Sequence, residues 1–164
     1  MNRSQLPIIG IVIAAAVHPV SAQAPAAQAA EAKPHLFAPA ELTWGPGPGS
    51  LPAGVQAAVL EGNPMEAGPF TARFKLPANF RIPPHWHPAV EHVTVVTGSL
   101  YIGQGEKVDT AAMKELTPGG FMLMPPHTPH YVRTRGETVI QIHGIGPWGI
   151  TYVNPADDPR PKSN

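Results

Sequence analysis

Short segments in which apolar and polar residues alternate recur along this chain, and they constrain its fold more than any other feature. The clearest is residues 70–76, where Phe70, Ala72, Phe74 and Leu76 alternate with polar side chains. In a strand this spacing puts the apolar residues on one face, which can then be buried. Further strands are predicted at residues 55–60, 92–97, 100–102, 121–124, 130–134, 138–143 and 150–153, and residues 110–116 fit either a short helical turn or a strand. Many short strands separated by Gly and Pro indicate an all-β barrel or sandwich.

The composition excludes several classes of site and partner. The sequence contains no cysteine, which excludes disulfides, thiol catalysis and cysteine-ligated zinc or iron–sulfur centres. It has 11 basic and 11 acidic residues, so the formal net charge is zero. This balance gives no attraction to nucleic acid or to an anionic membrane surface.

The N-terminal residues have the pattern of a secretory signal peptide. Arg3 precedes an apolar run over residues 6–17, and the run is followed by Ser21-Ala22-Gln23-Ala24. A membrane anchor is the alternative, but the run is shorter than the ~20 apolar residues that cross a bilayer. We therefore expect residues 1–24 to be removed after Ala24 and the protein to be periplasmic or secreted, with no membrane attachment after cleavage. Residues 25–50 are predicted to be a flexible lead-in rich in Ala, Pro and Gly, residues 51–153 the barrel, and residues 154–164 an irregular tail.

Three histidines and one glutamate form the pattern that carries chemistry. His85, His87 and Glu91 are spaced by even numbers, so in one extended strand they would share a face, and His130 lies further along the chain. Imidazole nitrogens and a carboxylate oxygen are ligands for divalent transition metals, including Fe, Mn, Ni, Cu, Co and Zn. Four such ligands close a tetrahedral zinc site, whereas on an octahedral ion they leave two positions open.

The spacing of these residues resembles the two motifs of the cupin family. The first cupin motif is G-x5-H-x-H-x3,4-E-x6-G, and residues 85–98 match it from the first histidine to Gly98. The second is G-x5-P-x-G-x2-H-x3-N, and Gly119, Pro125 and His130 match it. The resemblance implies His85, His87, Glu91 and His130 as metal ligands. It also implies a small jelly-roll barrel (a double-stranded β-helix), a preference for Mn or Fe over structural zinc, and a homodimer.

Three positions depart from the cupin pattern. Asn79 stands where the first motif begins with Gly, His127 replaces the central Gly of the second motif, and Thr134 replaces its final Asn. The four ligand positions are all kept, so these departures bear on loop geometry and not on the metal.

Two further histidines are candidates for acid/base catalysis. His127 lies three residues before His130. There it can donate a hydrogen bond to a metal ligand, be an extra ligand, act as an acid/base, or simply be a loop residue. His143 shares a strand face with Gln141 and becomes a candidate general base if that face is inward. Ile140 and Ile142 on the alternate positions slightly favour the opposite orientation.

Bulky side chains near the motifs are expected to fill the barrel or to wall a pocket for an apolar or aromatic molecule. They are Tyr101, Phe121, Met122, Met124 and Trp148. Trp86 lies between two ligands and is predicted to point away from the metal, and His92 is predicted to lie at the surface.

These observations predict an exported metal-dependent enzyme that acts on a small molecule, with a dioxygenase-like reaction favoured by the resemblance and isomerisation or decarboxylation as alternatives. A second hypothesis is a non-catalytic protein that uses the metal to bind or sense a small ligand. A third is a zinc ion that only stabilises the fold.

Overall fold

The computed structural model describes residues 34–162. The chain divides into two compact units, residues 1–36 and residues 37–164, and every element below belongs to the second. The predicted signal peptide, residues 1–24, lies outside the described residues. No helix in the described part has the length and apolar character that spanning a membrane requires.

The described chain is built from strands joined by turns, with short 3-10 turns at Pro39–Glu41 and Pro155–Asp157. The strands are β1 (Gly45–Pro46), β2 (Gln56–Glu61), β3 (Gly68–Leu76), β4 (Arg81–Trp86), β5 (Glu91–Thr97), β6 (Leu100–Gln104), β7 (Lys114–Leu116), β8 (Phe121–Met124), β9 (His130–Thr134), β10 (Thr138–Gly146) and β11 (Thr151–Tyr152). The predicted all-β architecture is confirmed. The ambiguous segment 110–116 contributes only strand β7, and the irregular Gly/Pro lead-in contributes the two-residue β1.

The strands form two antiparallel sheets. The first has the order β1-β2-β3-β10-β5-β8, and the second has the order β11-β4-β9-β6-β7. Many of these neighbours are far apart in sequence, as in the pairing of β3 with β10 and of β4 with β9. Buried apolar residues of both sheets form one core cluster.

Alternation sets which side chains enter this core. On β3, Phe70, Ala72, Phe74 and Leu76 are buried while the intervening residues are partly exposed, as the period-two pattern predicts. Burying such side chains contributes roughly 25 cal/mol for each Å² of apolar surface removed from water.

The predicted single strand over residues 85–91 is wrong, because the chain changes sheets within it. Strand β4, which ends at Trp86, belongs to the second sheet, and strand β5, which begins at Glu91, belongs to the first. Pro88 lies in the connection, where its missing N–H costs no ladder hydrogen bond. The connection therefore brings the two sheets together at the end of the barrel that holds the histidines.

Candidate metal centre

Four buried side chains meet where β4, β5 and β9 come together. His85 lies near the end of β4 and is paired in register with His130, the first residue of β9. His87 follows β4 directly, and Glu91 begins β5. All four are almost inaccessible to solvent, with exposures of 1–5 %. The structure therefore brings together the four residues that the sequence proposed as ligands.

The distances within this group are short enough for one ion. Ligand-capable atoms of His85, His87 and His130 all lie within 4.8 Å of one another. Glu91 closes the group, with its Oε1 3.5 Å from His87 Nε2 and its Oε2 3.3 Å from His130 Nε2.

Backbone carbonyls fix the tautomer of each imidazole. The Nδ1 of His85 lies 2.7 Å from the carbonyl oxygen of Pro83, and that of His87 lies 2.6 Å from the oxygen of Gly149. The Nδ1 of His130 lies 3.0 Å from the oxygen of Thr128. A carbonyl oxygen only accepts, so each Nδ1 carries the hydrogen and donates it. Each neutral ring therefore keeps the lone pair on Nε2, as metal-ligating histidines do.

Two buried atoms of the group have no hydrogen-bond partner, namely His87 Nε2 and Glu91 Oε2. Leaving a buried polar group unsatisfied costs about 1–3 kcal/mol, and more for a charged group. The 3.3 Å contact between Glu91 and His130 joins two acceptor atoms once Nδ1 holds the hydrogen. A divalent cation would satisfy these atoms together, so the donor set fits a transition metal.

The electrostatics of the site also favour cation binding. Burial, reinforced by the neighbouring rings of His130 and His87, lowers the pKa of His85 from 6.5 to about 3. Burial likewise lowers the pKa of His87, although Glu91 opposes the shift. Burial alone would raise the pKa of Glu91, but positive charge beside it, carried by the imidazoles of His130 and its neighbours when they are protonated, outweighs burial and the pKa falls. Neutral imidazoles around an ionised carboxylate are the protonation states that a metal requires.

An apolar cavity of about 40 Å³ adjoins the four ligands. Apart from them, its wall consists of aliphatic and aromatic side chains: Leu51, Phe74, Leu76, Ile82, Val93, Leu100, Met122, Val132, Ile140, Ile142, Trp148 and Ile150. Trp148 stacks on the His87 ring, with the ring centroids 4.3 Å apart and an angle of 14° between the planes. Met122 and Trp148 are thus pocket wall, as expected.

Of the other bulky residues, Met124 is buried in the core as expected, whereas two lie elsewhere. Phe121 is 54 % exposed and does not fill the barrel. Tyr101 lies on the outside of the second sheet, where Arg133 and Arg135 contact its ring.

The cavity does not include His127, one of the two acid/base candidates. Its side chain is exposed and packs against Trp86, with 4.5 Å between the ring centroids. Its backbone N–H donates to the carbonyl of His87, at 2.9 Å, so the residue positions the loop through its main chain. His127 has a φ of 57°. Asn79, which also stands where the cupin motifs have a glycine, has a φ of 59°. Both positions need a left-handed backbone, which Asn and His adopt more readily than most residues.

The other candidate, His143, lies on the outer face of β10. Its ring stacks on His92 with a centroid distance of 4.8 Å, while Ile140 and Ile142 point into the core. Gln141 on the same outer face accepts a hydrogen bond from Arg73. The geometry therefore does not support acid/base roles for His127 and His143, because neither reaches the cavity.

Sequence reasoning missed the three carbonyl groups that orient the imidazoles. They belong to Pro83, Thr128 and Gly149, and a backbone acceptor leaves no side-chain signature. For His85 and His130 the acceptor is the carbonyl of the residue two positions earlier in the chain. Both acceptors lie in the Pro-containing segment that precedes the histidine.

The chain resembles known proteins in sequence and in fold. Residues 72–144 match the sequence model of the cupin domain. The structure resembles a proposed acetylacetone dioxygenase from Methylibium petroleiphilum, with 20 % identity over 80 % of this chain and 88 % of the other and a TM-score of 0.60. It also resembles the polyketide cyclase RemF from Streptomyces resistomycificus (20 % identity, 64 % and 75 % of the two chains, TM-score 0.54). A third similar structure is KdgF from a Halomonas species (18 % identity, 70 % and 96 %, TM-score 0.52). These likenesses concern the fold and confirm the predicted jelly-roll barrel. No curated protein matches the chain in sequence.

Proposed function

Because the chain belongs to the cupin superfamily and is a metal-binding member of it, we propose that it is a metal-dependent enzyme that oxidises a small apolar molecule in a dioxygenase-like reaction. The observation that carries the proposal is the convergence of three imidazoles, each fixed by a carbonyl at Nδ1, on the carboxylate of Glu91. A bound metal would supply Lewis acidity and open coordination positions for oxygen atoms of the substrate.

The chain's own residues would hold and surround the metal. His85, His87, Glu91 and His130 would bind it, and Mn or Fe is proposed because such ligand sets leave positions open on an octahedral ion. Trp148 would fix the His87 ring by stacking on it and would form one wall of the substrate site. The remaining apolar wall would exclude water and would favour a substrate that is apolar apart from the oxygens bound to the metal.

A second apolar space, a groove, also borders Trp148. This groove of about 180 Å³ is lined by Val59, Pro64, Met65 and Trp148, among others, so Trp148 borders both the groove and the cavity. We propose this groove as the approach for the substrate, with Trp148 separating it from the metal.

One observation favours a different function, the binding or sensing of a small ligand without turnover. Among residues 34–162, the cavity wall contains no acid or base other than the four proposed ligands. A reaction that needs a separate protein acid or base has no residue there to perform it, whereas binding needs none.

The experiment that separates these functions combines elemental analysis with oxygen consumption. The full chain is purified from its native compartment and its metal measured, together with His87→Ala and, as a matched control, the outer-face variant His92→Ala. We expect about one metal ion per chain in the wild type and in His92→Ala, and little in His87→Ala. Equal metal content in all three proteins would overturn the ligand assignment.

Oxygen uptake is then followed with a panel of neutral 1,3-diketones and phenols. Uptake that is lost in His87→Ala supports the enzyme. Thermal stabilisation by a panel member without oxygen uptake supports the binding function instead.

We also propose that the protein is exported and forms a homodimer. Export rests on the signal-peptide pattern of residues 1–24 and is tested by N-terminal sequencing of the periplasmic or secreted protein, which should begin after Ala24.

The dimer is supported by Phe121 and Leu123, which are 54 % and 52 % exposed on β8. Sedimentation should report a dimer that Leu123→Lys dissociates and that Met65→Lys, at another exposed apolar position, leaves intact.

A further inference from the structure

The outer face of the second sheet carries a cleft that the metal centre does not use. The cleft has a volume of about 280 Å³ and lies between the sheet and the loop that follows β6. Its lining includes Arg81, Pro83, Val108, Met113, Tyr131 and Arg133. We propose that this arginine cleft binds a small organic anion with an apolar body, such as a medium-chain carboxylate.

Two arginines give the cleft its positive charge. Arg81 on β4 and Arg133 on β9 are paired in register, and the inward positions beside them are the core residues Ile82 and Val132. Both guanidinium-bearing residues therefore lie on the outer face, on neighbouring strands. Two positive charges on one face of neighbouring strands favour an anionic ligand.

Arg133 has an unmet hydrogen-bonding requirement. Among residues 34–162 its buried Nε has no hydrogen-bond partner, and its guanidinium carbon lies 5.0 Å from the centre of the Tyr101 ring. Stacking on an aromatic ring holds the guanidinium in place but satisfies none of its N–H donors. A carboxylate in the cleft would accept hydrogen bonds from the terminal N–H groups of this guanidinium.

Acidic side chains nearby are committed to other donors. The Asp109 carboxylate accepts from the backbone N–H groups of Ala111 and Ala112, at 2.9 and 3.3 Å. Glu115 accepts from the Tyr101 hydroxyl at 2.7 Å. Within residues 34–162, neither Arg81 nor Arg133 forms a salt bridge. Both cations thus remain available to a ligand.

The loop over the cleft is anchored to the sheet. The Tyr131 hydroxyl accepts from the N–H of Asp109 at 2.9 Å and donates to its carbonyl at 3.0 Å. Gly103 on the neighbouring strand makes room for this ring, since a Cβ there would lie 2.3 Å from it. Val108 and Met113 in the anchored loop provide an apolar roof, so the cleft combines apolar walls with two cations. That combination selects an amphipathic anion over a fully polar one.

Calorimetric titration of the full chain with octanoate, 1-octanol and inorganic phosphate tests the proposal. We expect octanoate to bind more tightly than either of the others. Equal binding of 1-octanol would show that charge is not recognised, and equal binding of phosphate would show that the apolar walls are not used. Either result, or no octanoate binding at all, overturns the proposal.

Variants locate the site and separate it from the metal centre. Arg133→Met should weaken octanoate binding roughly tenfold or more, since a charge-assisted hydrogen bond is lost. Arg135→Met is the matched control, because Arg135 also contacts the Tyr101 ring but does not line the cleft. Val108→Asp, which adds a carboxylate to the exposed roof, should weaken binding too and serves if Arg133→Met does not fold. Unchanged affinity in Arg133→Met, or in Val108→Asp where that variant stands in for it, would place octanoate elsewhere and refute the arginine cleft.

Discussion

Each proposed ligand histidine is held at Nδ1 of its ring, and this leaves Nε2 available to a metal. A carbonyl accepts from Nδ1, and Nε2 is left facing Glu91 or the neighbouring rings. The carbonyls have no titratable proton, so the tautomer does not change with pH as long as the ring stays neutral. The orientation of the imidazoles is therefore built by the fold before a metal arrives, which lowers the entropy lost on binding.

Glu91→Gln tests the contribution of charge to metal affinity. The amide has nearly the same shape as the carboxylate but brings no negative charge, so we expect metal affinity to fall roughly 10–100-fold, the range seen when support of a metal site is lost. Competition with a chelator of known affinity measures the change. Glu61→Gln, at an exposed position that accepts from Thr71, is the control and should leave the affinity as in the wild type. An unchanged affinity in Glu91→Gln would mean that the carboxylate is not a ligand.

Trp148→Ala tests the wall between the cavity and the groove. Losing this half-buried ring should destabilise the protein by roughly 2–3 kcal/mol, somewhat below the cost typical of a fully buried aromatic residue. The metal should remain, while selectivity among ligands of different width should weaken, because the cavity then joins the groove. Trp148→Phe should preserve most of both properties. Trp44→Ala, which removes a ring beneath Lys75 at a distance from the metal, should leave selectivity intact.

Strand β5 shows what sequence spacing can and cannot predict. The even spacing of His85, His87 and Glu91 correctly indicated that their side chains converge. It did not indicate that the chain leaves one sheet and enters the other between Trp86 and Glu91. Convergence within one strand and convergence across a connection give the same spacing, and only the pairing of distant strands distinguishes them.

Gly98 is required by the turn between β5 and β6, which joins the two sheets, and this can be tested on the stability of the protein. Its φ is +76°, and an added Cβ would lie 2.4 Å from the carbonyl oxygen of Glu137. Gly98→Ala should therefore lower the free energy of unfolding by roughly 2 kcal/mol, combining backbone strain with a steric clash. Gly136→Ala in the turn between β9 and β10 is the matched control, because no described atom lies within 4 Å of its added Cβ. Urea denaturation of both variants measures the difference, and equal stabilities would contradict the assigned strain.

At the scale of the whole molecule, the sequence predicted the fold class and the grouping of the four proposed ligands, but it did not predict the orientation of single residues. Alternation on β3 predicted the all-β class because burial of one face acts locally. The side of β10 that faces the core was settled by Ile140 and Ile142, whose burial places His143 outside. In the sequence, two isoleucines on one face of β10 and a glutamine and a histidine on the other only slightly favoured burial of the isoleucine face. The tertiary pairing of β10 with β3 and β5 turned that bias into a fixed orientation.

The shared burial of the ligands makes global stability depend on pH in a defined direction. In the chelator-treated protein, burial keeps His85 and His87 neutral, and the pKa of His85 is lowered from 6.5 to about 3. As the pH falls, the unfolded chain therefore takes up protons before the folded one. This proton uptake stabilises the unfolded chain relative to the native state. The stability contributed by these rings is complete above about pH 6.5 and is lost as the pH falls from there toward 3.

Urea denaturation of the chelator-treated protein at pH 7.5, 6, 5 and 4 measures this loss. We expect the free energy of unfolding to decline steadily below pH 6.5, and we expect the metal-loaded protein to hold its stability to a lower pH, because protons must displace the metal from Nε2 before the rings can charge. His85→Phe removes one depressed titration and should flatten the decline relative to the wild type. A wild-type stability that does not change between pH 7.5 and 4 would mean that the unfolded and folded chains bind the same number of protons. The buried rings would then not be held neutral by the fold.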